Sequence, residues 1–249
     1  MDLSIMATEG DWGGALAADV TAVVKSVAQC FEEAVLERPV EAIRVEPTPG
    51  VLDPPITLFD RAESGEVRVL LNARGNLWAR LAFQFAHEFC HVLSNFNEPA
   101  HHSSRWLDES LCETCSLFAL RAMAASWRHS PPYPNWAPYA ASFTEYLEQR
   151  WNEPGHQLPA GVAFPQWLAS QLPVLRGDSG RRADNTLVAL RLLPVFEENA
   201  DAWRAVRYLS LWDASQDSSV EHFCAHWRET VPARLCSVVD RIERRLTRE

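Results

Sequence analysis

The sequence predicts an α+β chain that is mostly helical. A small N-terminal β-sheet should pack on a pair of helices, and an all-helical C-terminal half should follow. Three observations carry this. Three short β-rich runs cluster between residues 42 and 71. Apolar residues then recur with helical spacing through almost all the rest of the chain. Pro47, Pro49, Gly50, Pro54 and Pro55 punctuate the first gap between those runs, and Ser64-Gly65 marks a turn in the second.

The 249 residues allow one large domain or two small ones, and an apolar content of 47% is enough for a sizeable core. The reading is a unit over 15–130 and a helical region over 131–249 that completes or caps it, with one continuous domain equally compatible. A net charge of −10 argues against nucleic acid as the main partner. Met1 to Gly14 has no basic n-region and no apolar h-region, so no signal peptide is expected. No run of about 18 apolar residues exists, so no membrane span is expected. The cysteines at 30, 90, 112, 115, 224 and 236 do not space like a disulfide framework. Mostly free thiols in a reducing, cytoplasmic compartment are expected.

Taken in order, residues 1–14 read as a loose leader. Val20, Val23, Val24, Val27, Phe31 and Val35 predict a helix over Ala17 to Leu36, ended by Pro39. Ala42–Val45, Ile56–Phe59 and Val67–Leu71 predict strands of an antiparallel or mixed sheet. A helix follows from near Asn76 to about Asn95, with Trp78, Leu81, Ala82, Phe85, Phe89, Val92 and Phe96 as its apolar stripe. After a polar connection containing His101 and His102, a further helix is expected over 106–127. One face of it is apolar, while the other begins with Glu109 and Glu113 and ends with Leu120, Met123 and Trp127. Such a helix must bury both sides. The segment Ser130–Pro138 reads as a cleft wall or a boundary. Further helices are expected over 137–151, 165–172, 182–198, 200–212, 220–229 and 233–248, with Pro194 kinking or capping the third.

The stretch that carries chemistry is Phe85-Ala86-His87-Glu88-Phe89-Cys90-His91-Val92-Leu93, which contains His-Glu-x-x-His. Residues four apart lie one turn above each other, so His87 and His91 can aim at one ion. Glu88 sits about 100° round the helix, where a carboxylate can take a proton from water acidified by Zn²⁺. Catalytic zinc usually keeps three protein ligands and one open position. The third ligand is not the histidine of a metzincin, because Ser94 and Asn97 occupy its Gly and His positions. Glu109, Glu113, Asp108, His101 and His102 remain. Cys112-x-x-Cys115 lacks a second pair at zinc-ribbon spacing and reads as buried structural thiols.

Here the chain resembles the gluzincins, the thermolysin-like and aminopeptidase-like zinc peptidases. Trp106-Leu107-Asp108-Glu109-Ser110-Leu111 is similar to their Asn-Glu-Gly-Phe-Ala segment, with Asp, Ser and Leu replacing Asn, Gly and Phe. The resemblance implies Glu109 as third zinc ligand and Glu113 as an acid that orients a ligand histidine, with Glu113 as ligand the rival assignment. It also implies that the strand Val67–Leu71 is an edge that pairs with extended substrate. Val69 to Gly75, Arg80 to Phe85 and Ala86 to His91 resemble more narrowly the ImmA/IrrE-type peptidases, which act on regulatory proteins. That family's Glu-Ala-Asn segment is matched only loosely by Glu113-Thr114-Cys115. The resemblance spans roughly residues 67 to 127.

The activity so implied is hydrolysis of a peptide or protein substrate with Zn²⁺ as cofactor and Glu88 as the catalytic base. The alternative is a regulatory or binding protein of peptidase-like fold. Tyr133, Tyr139, Tyr146, His156, Tyr208 and His226 are the candidates for stabilising the oxyanion.

Overall fold

The computed structural model describes residues 3–94, 104–199, 201–209 and 219–248. His101 and His102 lie outside the described residues, as do residues 200 and 210–212 of the helix expected over 200–212. The chain is a mostly helical α+β protein. Four strands, Ile5–Ala7 (β1), Ile43–Pro47 (β2), Ile56–Thr57 (β3) and Val67–Leu71 (β4), form a sheet in the order β1-β2-β4-β3. β1 with β2 and β2 with β4 run parallel; β3 runs antiparallel to β4. The register Ile43↔Val67 and Val45↔Val69 puts four buried β-branched side chains on one face. On the other face Arg68 grips Glu46 through two bonds of 2.9 Å.

Two expectations change here. The leader is not loose, because Ile5 and Ala7 pair with β2 and are buried. Three residues are too few to show an alternation in sequence. The strand Val67–Leu71 is not an edge either: β4 lies between β2 and β3, and β3 takes the edge position. Strand order is set by long-range pairing, which the chain order does not display.

The helix expected over 17–36 is divided into Ala17–Gln29 (α1) and Glu32–Glu37 (α2). At the break Phe31 leaves helical geometry, with φ −118° and ψ 25°. There its ring packs on Phe89, Phe118 and Trp203. The motif helix is Trp78–Leu93 (α3), and its partner is Arg105–Ser126 (α4). Along α3 the four-residue spacing of Leu81, Phe85 and Phe89 buries one stripe, and Phe85 stacks on Phe89 at 5.5 Å. Truncating either ring to Ala should cost about 3–5 kcal/mol. α4 is buried on both sides, at Leu107, Leu111 and Cys115 and again at Ser116, Leu120 and Met123.

The C-terminal half contributes Ala140–Asn152 (α5), Phe164–Gly177 (α6), Arg182–Glu197 (α7), Ala202–Val206 (α8), Val220–Thr230 (α9) and Cys236–Thr247 (α10). Of these, α5 and α7 pack directly on α4. They supply the second cover that the two-sided burial of α4 requires. Trp136, in a 3₁₀ turn over Pro134–Tyr139, lies between Trp78 at the start of α3 and Trp127 at the end of α4, with centroids 5.1 and 5.6 Å away. That segment ties the helix pair together and lines no part of the cleft described below.

Candidate metal centre

α3 presents His87, Glu88 and His91 to a cleft, and α4 presents Glu109 and Glu113 to the same place. The cleft is a cavity of about 310 Å³ continuous with a larger one of about 690 Å³, and the two share Pro55, His87, Glu88, Glu113 and Arg182. The helical turn between the histidines brings their rings to 5.2 Å. Glu109 reaches both. Its Oε2 is 3.3 Å from Nε2 of His87, and its Oε1 is 3.8 Å from Nε2 of His91.

The opposite nitrogens meet other groups. Nδ1 of His87 is 3.7 Å from Oε2 of Glu113. Nδ1 of His91 is 3.6 Å from Oδ2 of Asp108 and 3.3 Å from Sγ of Cys112. Glu113 is itself fixed: Thr186 donates to its Oε1 at 2.7 Å and Arg150 at 3.1 Å. Glu88, buried beside the pair, accepts from Thr57 Oγ1 at 2.8 Å. That bond comes from β3, so the edge strand and the motif helix are joined at the candidate base.

The electrostatics follow from these distances. Burial opposes charge on His87, but the Glu109 and Glu113 carboxylates outweigh it and raise its pKa well above the ordinary value. Burial likewise opposes charge on His91, and Asp108 outweighs it, again raising the pKa. Burial alone would raise Glu109; the two histidines instead bring it down to about 2. Glu113 is also lowered, with burial overcome by His87, Thr186 and Arg150. The cluster is therefore a set of ionised carboxylates around two basic imidazoles.

His87, His91 and Cys112 offer ligand atoms within 4.8 Å of one another, close enough to hold a metal ion. Cys112 and Glu109 both approach the histidines. They differ in the edge of His91 they use. Cys112 meets Nδ1, is fully buried and lines neither cavity. Glu109 meets Nε2 of both rings and lines the cleft. Nitrogen with either oxygen or thiolate suits zinc, and of Cys112 and Glu109 only Glu109 lines the cleft.

The structure thus brings together His87, Glu88, His91, Glu109 and Glu113, and it places Asp108 behind His91, with Oδ2 3.6 Å from Nδ1. Of the candidates for oxyanion stabilisation, Tyr146 and His156 line the larger cavity. Tyr208 instead donates to Glu37 at 2.6 Å, and Tyr133 and Tyr139 pack about Trp136. Neither they nor His226 lines the cleft. Thr57, Arg150 and Thr186 were not found by sequence reasoning. They stand 31, 37 and 73 residues from the carboxylates they hold, and no spacing rule spans such separations. All six cysteines are free, and Cys112 and Cys115 are fully buried, both against Cys90. Among the described residues no helix is long and apolar enough to cross a membrane. Comparison with protein-family models, curated proteins and solved structures finds no match to this chain.

Proposed function

We propose that the chain is a zinc-dependent metallopeptidase that hydrolyses a peptide or protein substrate. The observation that carries this reading is the convergence of both histidine Nε2 atoms on the Glu109 carboxylate at the floor of a cleft, with Glu88 alongside. In this reading His87, His91 and Glu109 hold Zn²⁺. Bound there, the metal supplies Lewis acidity towards a peptide carbonyl and towards water.

The chain's own groups do the rest. Thr57 fixes Oε2 of Glu88, and the carboxylate takes a proton from water and returns it to the leaving amine. Glu113 and Asp108 hold the back nitrogens of the histidines and set which nitrogen faces the metal. β3, at the sheet edge beside Glu88, offers backbone groups to an extended chain. The kinship with gluzincins and ImmA/IrrE-type peptidases belongs to this same proposal.

The test is metal content by elemental analysis, together with peptide hydrolysis. Wild type should carry about one zinc per chain. Glu109→Ala should lose it and Cys112→Ala should keep it. Glu88→Gln should keep the metal and lose hydrolysis. Zinc lost with Cys112→Ala and kept with Glu109→Ala would move the ion to the Nδ1 side of His91 and overturn the ligand set. Zinc bound without cleavage of any peptide would leave a regulatory or binding protein.

A further inference from the structure

The cleft carries four arginines, and three of them are engaged. Arg150 is held by Glu113 at 3.1 Å and by Glu153 at 2.9 Å. Arg80 donates to Asn72 at 3.0 Å. Arg105 faces Glu109 at 4.0 Å. Arg182, the first residue of α7, is different. It lines both cavities at their junction, next to His87 and Glu88, and its guanidinium makes no hydrogen bond or ion pair with any described residue. The carboxylates around it already have partners: Glu88 has Thr57, Glu109 has the histidines, and Glu113 and Glu153 share Arg150. In a chain of net charge −10, an exposed cation therefore has no neutralising partner among the described residues, in the cavity that His87 and Glu88 line.

The smaller cavity that Arg182 lines also has apolar walls. Ile56 and Phe59 line the smaller cavity and are 44% and 42% exposed. A ligand in this cavity thus meets both apolar surface and the guanidinium of Arg182. The planar fork of a guanidinium matches a carboxylate with two parallel N–H···O bonds.

The geometry points to Arg182 as the anchor for a carboxylate of the substrate. This rests on the peptidase reading and gives its substrate class: peptides with an acidic side chain, or a free C-terminus, close to the scissile bond.

The experiment separates the two sources of carboxylate. Zinc-loaded Glu88→Gln protein is used for affinity selection from three random-peptide pools, read by mass spectrometry. One contains Asp and Glu with amidated ends, one Asn and Gln with free C-termini, and one Asn and Gln with amidated ends. One of the first two should be enriched over the third by about tenfold, the scale of one charge-assisted pair. Enrichment of the first assigns the side chain, and enrichment of the second assigns the terminus. Adding Arg182→Ala should abolish the preference, and Arg182→Lys should restore part of it. Equal binding of the three pools, no binding of any, or a preference that survives Arg182→Ala would overturn the inference. Melting curves of the variants control for folding. Hydrolysis by the wild type is scored separately. A wild type that cleaves nothing removes the peptidase reading, while the acid preference stands or falls on the selection.

Discussion

Glu113 Oε2 lies 3.7 Å from Nδ1 of His87, on the opposite edge of the ring from Glu109. One turn of α4 separates the two carboxylates, so a single helix grips the imidazole from both sides. Glu113 cannot drift, since Thr186 and Arg150 hold its other oxygen. Glu113→Gln should weaken zinc binding by about 10–100-fold while leaving full occupancy at high zinc. Competition against a chelator measures this. An unchanged affinity would mean that Glu113 does not act on the ligand ring.

The raised histidine pKa values give the site a pH signature. In the zinc-free protein, charged His87 and His91 are stabilised by Glu109, Glu113 and Asp108 despite their burial. That stabilisation is complete below an unfolded pKa of about 6.5 and is lost as pH rises through the raised folded values. Zinc requires neutral imidazoles, so its binding runs the other way. Glu109, with its pKa near 2, stays ionised throughout. The rise in melting temperature caused by zinc should therefore grow as pH climbs from slightly acid to alkaline. Paired melting curves with and without zinc read this directly, and a shift that shrinks with pH contradicts the assignment.

Thr57 is the one group on the sheet edge that bonds the candidate base. Thr57→Val keeps the shape and removes the donor. The loss of a bond worth about 1 kcal/mol should lower turnover by roughly fivefold to tenfold. Zinc content should not change, because the Thr57 hydroxyl is engaged with Glu88 and is not among the proposed ligands. Full activity in this variant would show that Glu88 is oriented by its own helix alone.

What the sequence disclosed and what it concealed divide along physical lines. The spacing of His87 and His91 is local, and a helix converts it to geometry with little help from outside. The two-faced pattern of Glu109, Glu113, Leu120 and Met123 on α4 is also local, and it anticipated burial on both sides. The strand β1 escaped notice because Ile5 and Ala7 gain their burial only through pairing with Ile43 and Val45. The edge position of β3 escaped for the same reason. Arg182, Thr186 and Arg150 reach the site only because α5 and α7 fold back over α4, an arrangement set by packing rather than by any motif.

Arg207 shows how far that packing reaches into the site. It is 2% exposed, and its guanidinium donates to Leu93 O and, at 3.5 Å, Val92 O, the last carbonyls of α3. Its other nitrogen donates to Arg38 O at 3.2 Å and Pro39 O at 2.9 Å. Burial pulls its pKa down to about 10, so the charge is held at a cost. The return is a cation at the negative end of the motif helix, satisfying carbonyls that the helix leaves unpaired. Arg207→Met fills similar space without donors and strands those oxygens. The expected loss is about 3 kcal/mol, or roughly 6–12 °C in melting temperature for a chain of this size. The loss should appear equally in zinc-free protein, because it concerns the end of α3 and not the metal. An unchanged melting temperature would show that the carbonyls of Val92 and Leu93 find other donors when Arg207 is gone.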